Sequence, residues 1–230
     1  MPTSYLDLHT HHAHRATSDV LAIQNIVLNR GEQYDASLAA CSVGLHPWYL
    51  ENANFIKQQL IDLEEFIKNK NVILVGEAGL DKLVKTPIKV QEGIFEQQLE
   101  LASNIQKPII IHCVKAFSEL VALKKRINPS VPMIIHGFNQ KPTILAQLLD
   151  NGFYISLGAA LLHENSNAQK ALQIVPKTHF FLETDDQTNV SIQQIYEKAA
   201  QLLDILVEEI LWNNFKIIIE NNVIKEDYKK

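Results

Sequence analysis

Two histidines separated by one residue, His9 and His11 in the run DLHTH at 7–11, close a short apolar segment and are the first residues in the chain equipped for chemistry. Residues i and i+2 of a regular strand point to the same face, so both imidazoles can address one metal ion. Such a pair is weak evidence alone. It gains weight because four more ligand-type side chains stand where other apolar runs end: Glu77 after 72–76, His112 after 108–111, His136 after 133–135, and Asp185 after 180–184. Four imidazoles and two carboxylates suit borderline divalent ions, and a carboxylate such as Glu77 can bridge two of them. Buried without compensation, each such charge costs roughly several kcal/mol.

These side chains can meet only if the runs that carry them are strands with their carboxyl ends on one side. Short β-branched runs at 5–9, 23–28, 37–43, 72–76, 108–112, 133–136, 153–157 and 180–183 read as eight strands, with amphipathic stretches between them. Phe95, Leu99, Ala102 and Ile105 share one helical face, as do Phe117, Leu120, Val121 and Leu123. Pro142 suits a first helical turn. Ser191 suits an N-cap for a long C-terminal helical region through Leu203, Ile210 and Phe215, with a break expected near Asn213 and Asn214. The alternation predicts a TIM-type (β/α)8 barrel, whose sites are built at the carboxyl ends of the strands. Between Asp7 and Leu45 there is too little chain for two complete crossover helices, so the outer helices after the first two strands are expected to be incomplete.

Composition narrows the class. At 230 residues and 47% hydrophobic content, residues 1–230 can form a single domain with a substantial core. The formal charge of -5 argues against a global field that attracts nucleic acid, although metal ions can create a local cationic site. Cys41 and Cys113 lie in apolar runs and read as small buried hydrophobes, not as a disulfide framework. No signal peptide or membrane-length apolar run is present, which gives the expectation of a soluble cytoplasmic protein. The charged tail at 225–230 is expected to fray.

The motifs DLHTH (7–11), GLHPW (44–48), GEAGLD (76–81), FEQQLELA (95–102), PIIIHC (108–113), IIHGF (134–138), ISLG (155–158) and LETD (182–185) follow one another in the order found in the TatD family, and the chain resembles that family over most of its length. The resemblance implies a divalent-metal-dependent hydrolase, a deoxyribonuclease acting on phosphodiesters through a metal-activated water. It places His9, His11, Glu77, His112, His136 and Asp185 at metal-ligand positions for two divalent ions, whether Zn, Mn or Mg. Glu77 is then the bridge, and Asp185 also handles the proton of the attacking water. By the same resemblance His46 faces the substrate, and Asp81 braces the fourth loop. His12, His14, His163 and His179 lack comparable placement.

Two departures qualify the match: the chain is shortened between His11 and Gly44, and residues 186–189 replace a longer loop that often bears Pro, Arg and Tyr in relatives. If the second strand's apolar residues lack cover, the C-terminal helix or the second subunit of a homodimer would supply it. DLHTH followed by Ser18-Asp19 also resembles the opening of polymerase-and-histidinol-phosphatase phosphoesterases, which act on small monoesters, though the later motifs fit TatD better. A metal-stabilised binding protein that has lost turnover is the reading from a different class. The partners expected are DNA or another phosphoester substrate, and no membrane.

Overall fold

The computed structural model describes residues 4–12 and 15–223. Its strands are β1 Tyr5–Thr10, β2 Val20–Val27, β3 Cys41–Gly44, β4 Val72–Asp81, β5 Ile109–Val114, β6 Met133–Ile135, β7 Tyr154–Leu157 and β8 Phe180–Leu182. All eight join one sheet in sequence order. The pairs β1/β2, β3/β4, β4/β5, β6/β7 and β7/β8 are parallel. Parallel neighbours need a crossover between them. The crossovers and the C-terminal region use α1 Ala53–Phe66, α2 Ile88–Asn104, α3 Phe117–Ile127, α4 Pro142–Asp150, α5 Asn167–Ile174, α6 Ile192–Leu203 and α7 Glu208–Val223. Among the described residues no α-helix lies between β1 and β3, as the short spacing there required.

By packing, the chain divides into two compact units, Met1–Gln24 with Ile134–Asn221 and Asn25–Met133 with Asn222–Lys230. In the first unit the strands carry Leu6, Leu8, Ile155, Leu157, Phe180 and Phe181, all essentially without exposure. α6 covers β1 with Ile192, Ile195, Tyr196 and Ala199. Ser191 caps this helix: its hydroxyl accepts from Gln194 N at 3.2 Å, and the Gln194 side chain accepts from Ser191 N at 2.8 Å. The Tyr196 hydroxyl also ties helix to strand, accepting from Leu6 N at 3.1 Å and donating to Leu6 O at 3.0 Å. In the second unit Val43, Leu74, Val75, Ala78, Leu80 and Ile109–Ile111 are buried, and α2, with Phe95, Leu99 and Ala102 on its buried face, packs on β4.

Several expectations shift. The strand read at 37–43 begins only at Cys41, because Asp35 folds the preceding residues into a turn, accepting from Ser37 N at 2.8 Å and from its hydroxyl at 2.6 Å. β2 starts at Val20 and not at residue 23, and β4 continues past residue 76 to Asp81. The C-terminal break falls at Asp204, which caps α6 in the left-handed conformation, and not at Asn213 and Asn214. Those asparagines lie inside α7; Asn214 is buried and donates to Lys177 O at 2.8 Å and Phe180 O at 3.0 Å, so its amide anchors the helix. Helices α1 and α5 were not foreseen. The apolar residues of β2 that called for cover, Val20, Ala22, Ile23, Ile26 and Val27, are at most 5% exposed within the single chain. No helix of the described residues is long and apolar enough to cross a membrane. Residues 225–230 and His14 lie outside the described residues.

Tyr196→Phe removes both bonds to Leu6 and leaves a buried donor and acceptor unpaired, so it should lower stability by about 1–3 kcal/mol. A urea midpoint equal to that of the unaltered chain would show that the hydroxyl does not hold β1.

Candidate active site

In the first unit, β1 delivers His9 and, just beyond its end, His11. The register of β1 against β2 slips between Asp7 and Thr10, which admits one extra β1 residue beside His9. The segment after β8 returns to meet them: Asp185 N donates to His9 O at 2.9 Å and His11 N to Asp185 O at 3.2 Å. With its backbone turned left-handed (φ 53°), Asp185 places Oδ1 3.7 Å from both His9 Nε2 and His11 Nε2. His136, directly after β6, sets its ring 4.6 Å from that of His9. His9, His136 and Asp185 can each offer a ligand atom, all within 4.8 Å of one another.

Two buried carboxylates support this group. Asp7 accepts from Thr184 N at 2.9 Å and from the Thr184 hydroxyl at 2.6 Å, which fixes the peptide leading into Asp185. Burial pushes the Asp7 carboxyl up to about 7, against the Thr184 hydrogen bonds that favour its charged form. Glu183 is fully buried; its Oε1 accepts from Gly137 N and lies 3.5 Å from His136 Nδ1. Its other oxygen, Oε2, is buried with no hydrogen-bond partner among the described residues. Sequence reasoning passed over Glu183 as part of a strand; its position in LETD, two residues before Asp185, was the signal available.

The second unit gathers His46, Glu77 and His112, again with ligand atoms within 4.8 Å of one another. Glu77 lies inside β4, not after it. The β4/β5 register gains one residue between Val75 and Ala78, and Glu77 sits in this bulge. Its Oε1 is 3.0 Å from His46 Nε2 and 3.0 Å from His112 Nδ1. Asn25 on β2 holds the other side: its amide donates to Glu77 Oε2 at 3.1 Å, while its Oδ1 accepts from Glu77 N at 2.8 Å and from the Ser42 hydroxyl at 2.9 Å. The backbones here are too close for any side chain at Gly76, where φ is +115° and a Cβ would stand 2.4 Å from Ile110 O.

His46 precedes a 3-10 turn at Pro47–Tyr49, and its Nδ1 accepts from Trp48 N at 3.2 Å. The proton therefore sits on Nε2, which donates to Glu77. His112 reaches Asp81 through Nε2 at 3.2 Å. Asp81 also accepts from Trp48 Nε1 at 2.8 Å and from Leu83 N at 2.7 Å. Burial works to raise its carboxyl, but these hydrogen bonds outweigh it and hold Asp81 below the usual range. Two glutamines of α2 brace the strand ends: Gln98 accepts from Leu45 N at 2.7 Å and donates to Leu45 O at 3.0 Å, and Gln91 does the same at Asp81, at 2.7 and 2.9 Å. Both lie on the buried face of α2, where a polar residue in an apolar stripe was the only signal. His12 sits 3.4 Å from Asp186, and His179 stacks on Tyr154, so neither enters these clusters.

Gln98→Met keeps the volume and removes both bonds to Leu45. Hydrogen exchange at the Leu45 amide should then quicken about 5- to 10-fold, the equivalent of roughly 1 kcal/mol, while β7 amides stay unchanged. An unaltered Leu45 rate would deny the glutamine its bracing role.

The profile of the family described as TatD related DNase matches residues 7–220. The uncharacterized metal-dependent hydrolase YabD of Bacillus subtilis is 29% identical over 194 residues, 78% of this chain and 74% of that protein. A 3'-5' ssDNA/RNA exonuclease TatD of Edwardsiella piscicida is 32% identical over 149 residues, 63% of this chain and 56% of its own length. The deoxyribonuclease Tat-D of Schizosaccharomyces pombe is 26% identical, with 74% of this chain and 57% of that protein aligned. The chain thus spans little more than half the length of the two named nucleases. The crystal structure of YjjV, a TatD homolog from Escherichia coli K12, superposes with a TM-score of 0.79 at 22% identity, over 96% of this chain and 99% of that one. That likeness bears out the TIM-type (β/α)8 fold class. Matched by the family profile from the first aspartate of DLHTH into the last helix, this chain belongs to the TatD related DNase family.

Proposed function

We propose that this chain is a divalent-metal-dependent hydrolase that cleaves phosphodiester bonds in nucleic acid, working as a single domain. The observation that carries the reading is that each compact unit holds its own cluster of imidazole and carboxylate donors at metal-ligand spacing. The donor chemistry fits a cation: Glu183 Oε2 is a buried carboxylate oxygen without a donor, and such an oxygen is costly unless a positive charge meets it. The metal-dependent hydrolase and nuclease names of the relatives point the same way.

In this reading His9, His11, His136 and Asp185 hold one divalent ion, and Glu77 with His112 holds another. Imidazole with carboxylate accepts Zn or Mn readily, and Mg with fewer nitrogens. When bound, such ions supply Lewis-acid polarisation of the phosphoryl oxygens and an acidified water. The protein's own contribution is orientation and proton handling. Asp185, 36% exposed where His9 is fully buried, presents its carboxylate to solvent and accepts the proton of the attacking water. Glu183 orients His136, and Asn25 fixes the Glu77 carboxylate from the side away from the histidines. His46, whose Nδ1 accepts from Trp48 N and whose Nε2 meets Glu77, steadies that carboxylate and serves as a substrate-facing residue.

The direct test loads the purified chain with Mn or Zn and offers single-stranded DNA, nicked duplex, RNA and small phosphate monoesters. Chelator-sensitive shortening of a nucleic acid is expected. Release of inorganic phosphate from monoesters with all nucleic acids left intact would overturn the nuclease reading in favour of a phosphatase. Within the same assay, Asp185→Asn should lower kcat by roughly 10²- to 10⁴-fold with metal still bound. Unchanged turnover would remove its proton role. Glu77→Ala should release bound metal, and an unaltered metal content by atomic absorption would contradict its place as a ligand.

A further inference from the structure

We propose that Trp48 is a stacking platform for a base of the nucleic-acid substrate, held in position by Asp81; this rests on the nuclease reading above. Tryptophan is highly buried on average, yet Trp48 is 53% exposed. It is nonetheless anchored at both ends. Its main-chain N donates to His46 Nδ1 at 3.2 Å, and its indole Nε1 donates to Asp81 Oδ2 at 2.8 Å. Pro47 opens the short turn that carries it, and so limits the backbone freedom before it. An exposed indole held by one hydrogen bond, on a backbone held by another, loses little entropy when something lies on it.

Its neighbours place this surface beside the second unit's donor cluster. The indole meets the His46 ring edge to face at 5.1 Å and 89°, and the His112 ring at 5.7 Å and 82°. Asp81, besides holding the indole, stands 3.2 Å from His112 Nε2 and accepts from the backbone N of Leu83, a second apolar residue left 65% exposed. One carboxylate thereby links a ligand histidine, a flat aromatic surface and an apolar side chain. A phosphate gains nothing from such a surface. A base does, because every base has a π-face. With a formal charge of -5 the chain has no overall attraction for a polyanion beyond what bound cations would supply, so contact with the bases adds affinity that the global field does not. Stacking ignores the 2′-hydroxyl and tolerates every base, so the platform serves DNA and RNA alike and favours the larger purines modestly.

The test uses fluorescence and kinetics together. The chain has two tryptophans, so Trp212→Phe leaves Trp48 as the sole indole. In that variant, with chelator present to prevent cleavage, a short oligodeoxyadenylate should quench the fluorescence, and an oligomer of the same length with abasic sugars should not. In metal-loaded enzyme, Trp48→Ala should raise KM for the base-bearing oligomer about 5- to 100-fold and abolish its advantage over the abasic one. Trp48→Phe should restore part of that advantage. Should Trp48→Ala fail to fold, the quenching and the phenylalanine variant decide the matter. Nucleic-acid cleavage with no quenching, or an equal loss on both oligomers, would overturn the platform and leave the nuclease reading standing. Cleavage of no nucleic acid by the unaltered, metal-loaded chain would overturn both.

Discussion

A carboxylate withdrawn from water must be met by donors or by a cation, and among the described residues this fold withdraws four of them in or directly after its strands: Asp7, Glu77, Asp81 and Glu183, none more than 3% exposed. Much of the polar architecture answers to that constraint. Glu77 is bracketed by Asn25 and two imidazoles, and Asp81 by a backbone amide, an indole and an imidazole. Asp7 is met by the amide and hydroxyl of Thr184, and burial still wins there, lifting its carboxyl to about 7. Glu183 keeps one oxygen unmet. The residual deficit lies beside His136, next to the histidines of its own unit, and under the proposed function a bound cation would meet it.

The second constraint is the closeness of the backbones that carry Glu77. A Cβ at Gly44 would lie 2.5 Å from Gly76 Cα, and one at Gly79 would lie 2.0 Å from His112 O. Strands brought this near leave no room for side chains at their contact, so the bulge between Val75 and Ala78 can be accommodated and its acidic residue turned toward the histidines. A glycine-poor version of GEAGLD would push the strands apart and move Glu77 away from both imidazoles.

The strands and most crossovers were legible because β-branched runs and helical stripes are local patterns, and local patterns survive in a single sequence. What failed was decided elsewhere. Residues 37–40, Ser-Leu-Ala-Ala, have no β-branched or aromatic residue to favour a strand, and the Asp35 side chain offers a turn instead. Asn213 and Asn214 look like breakers until Asn214 finds two carbonyls outside its own helix. α1 buries fully only Ile56 and Leu63, too sparse a stripe to register, and α5 is eight residues long. In the site, ligand types at run ends could be read directly. The residues that orient them could not: Asn25, Gln91 and Gln98 are defined by which main-chain atoms they reach across the fold, and no spacing in the sequence records that.

Under the proposed function, this distinction bears on how a chain short of outer helices after its first two strands can present a substrate surface. The segment carrying His46 and Trp48 is held at five main-chain groups by two side chains. Gln98 takes Leu45 N and O, and Asn29 takes His46 N, His46 O and Tyr49 O. Longer loops can close over a substrate, but they lose conformational entropy in doing so. A short loop already pinned in place has little left to lose, so each contact it makes is retained more fully as affinity. In this chain rigidity near the donors takes the place of coverage, and the polar residues buried on α2 and after β2 are what provide it.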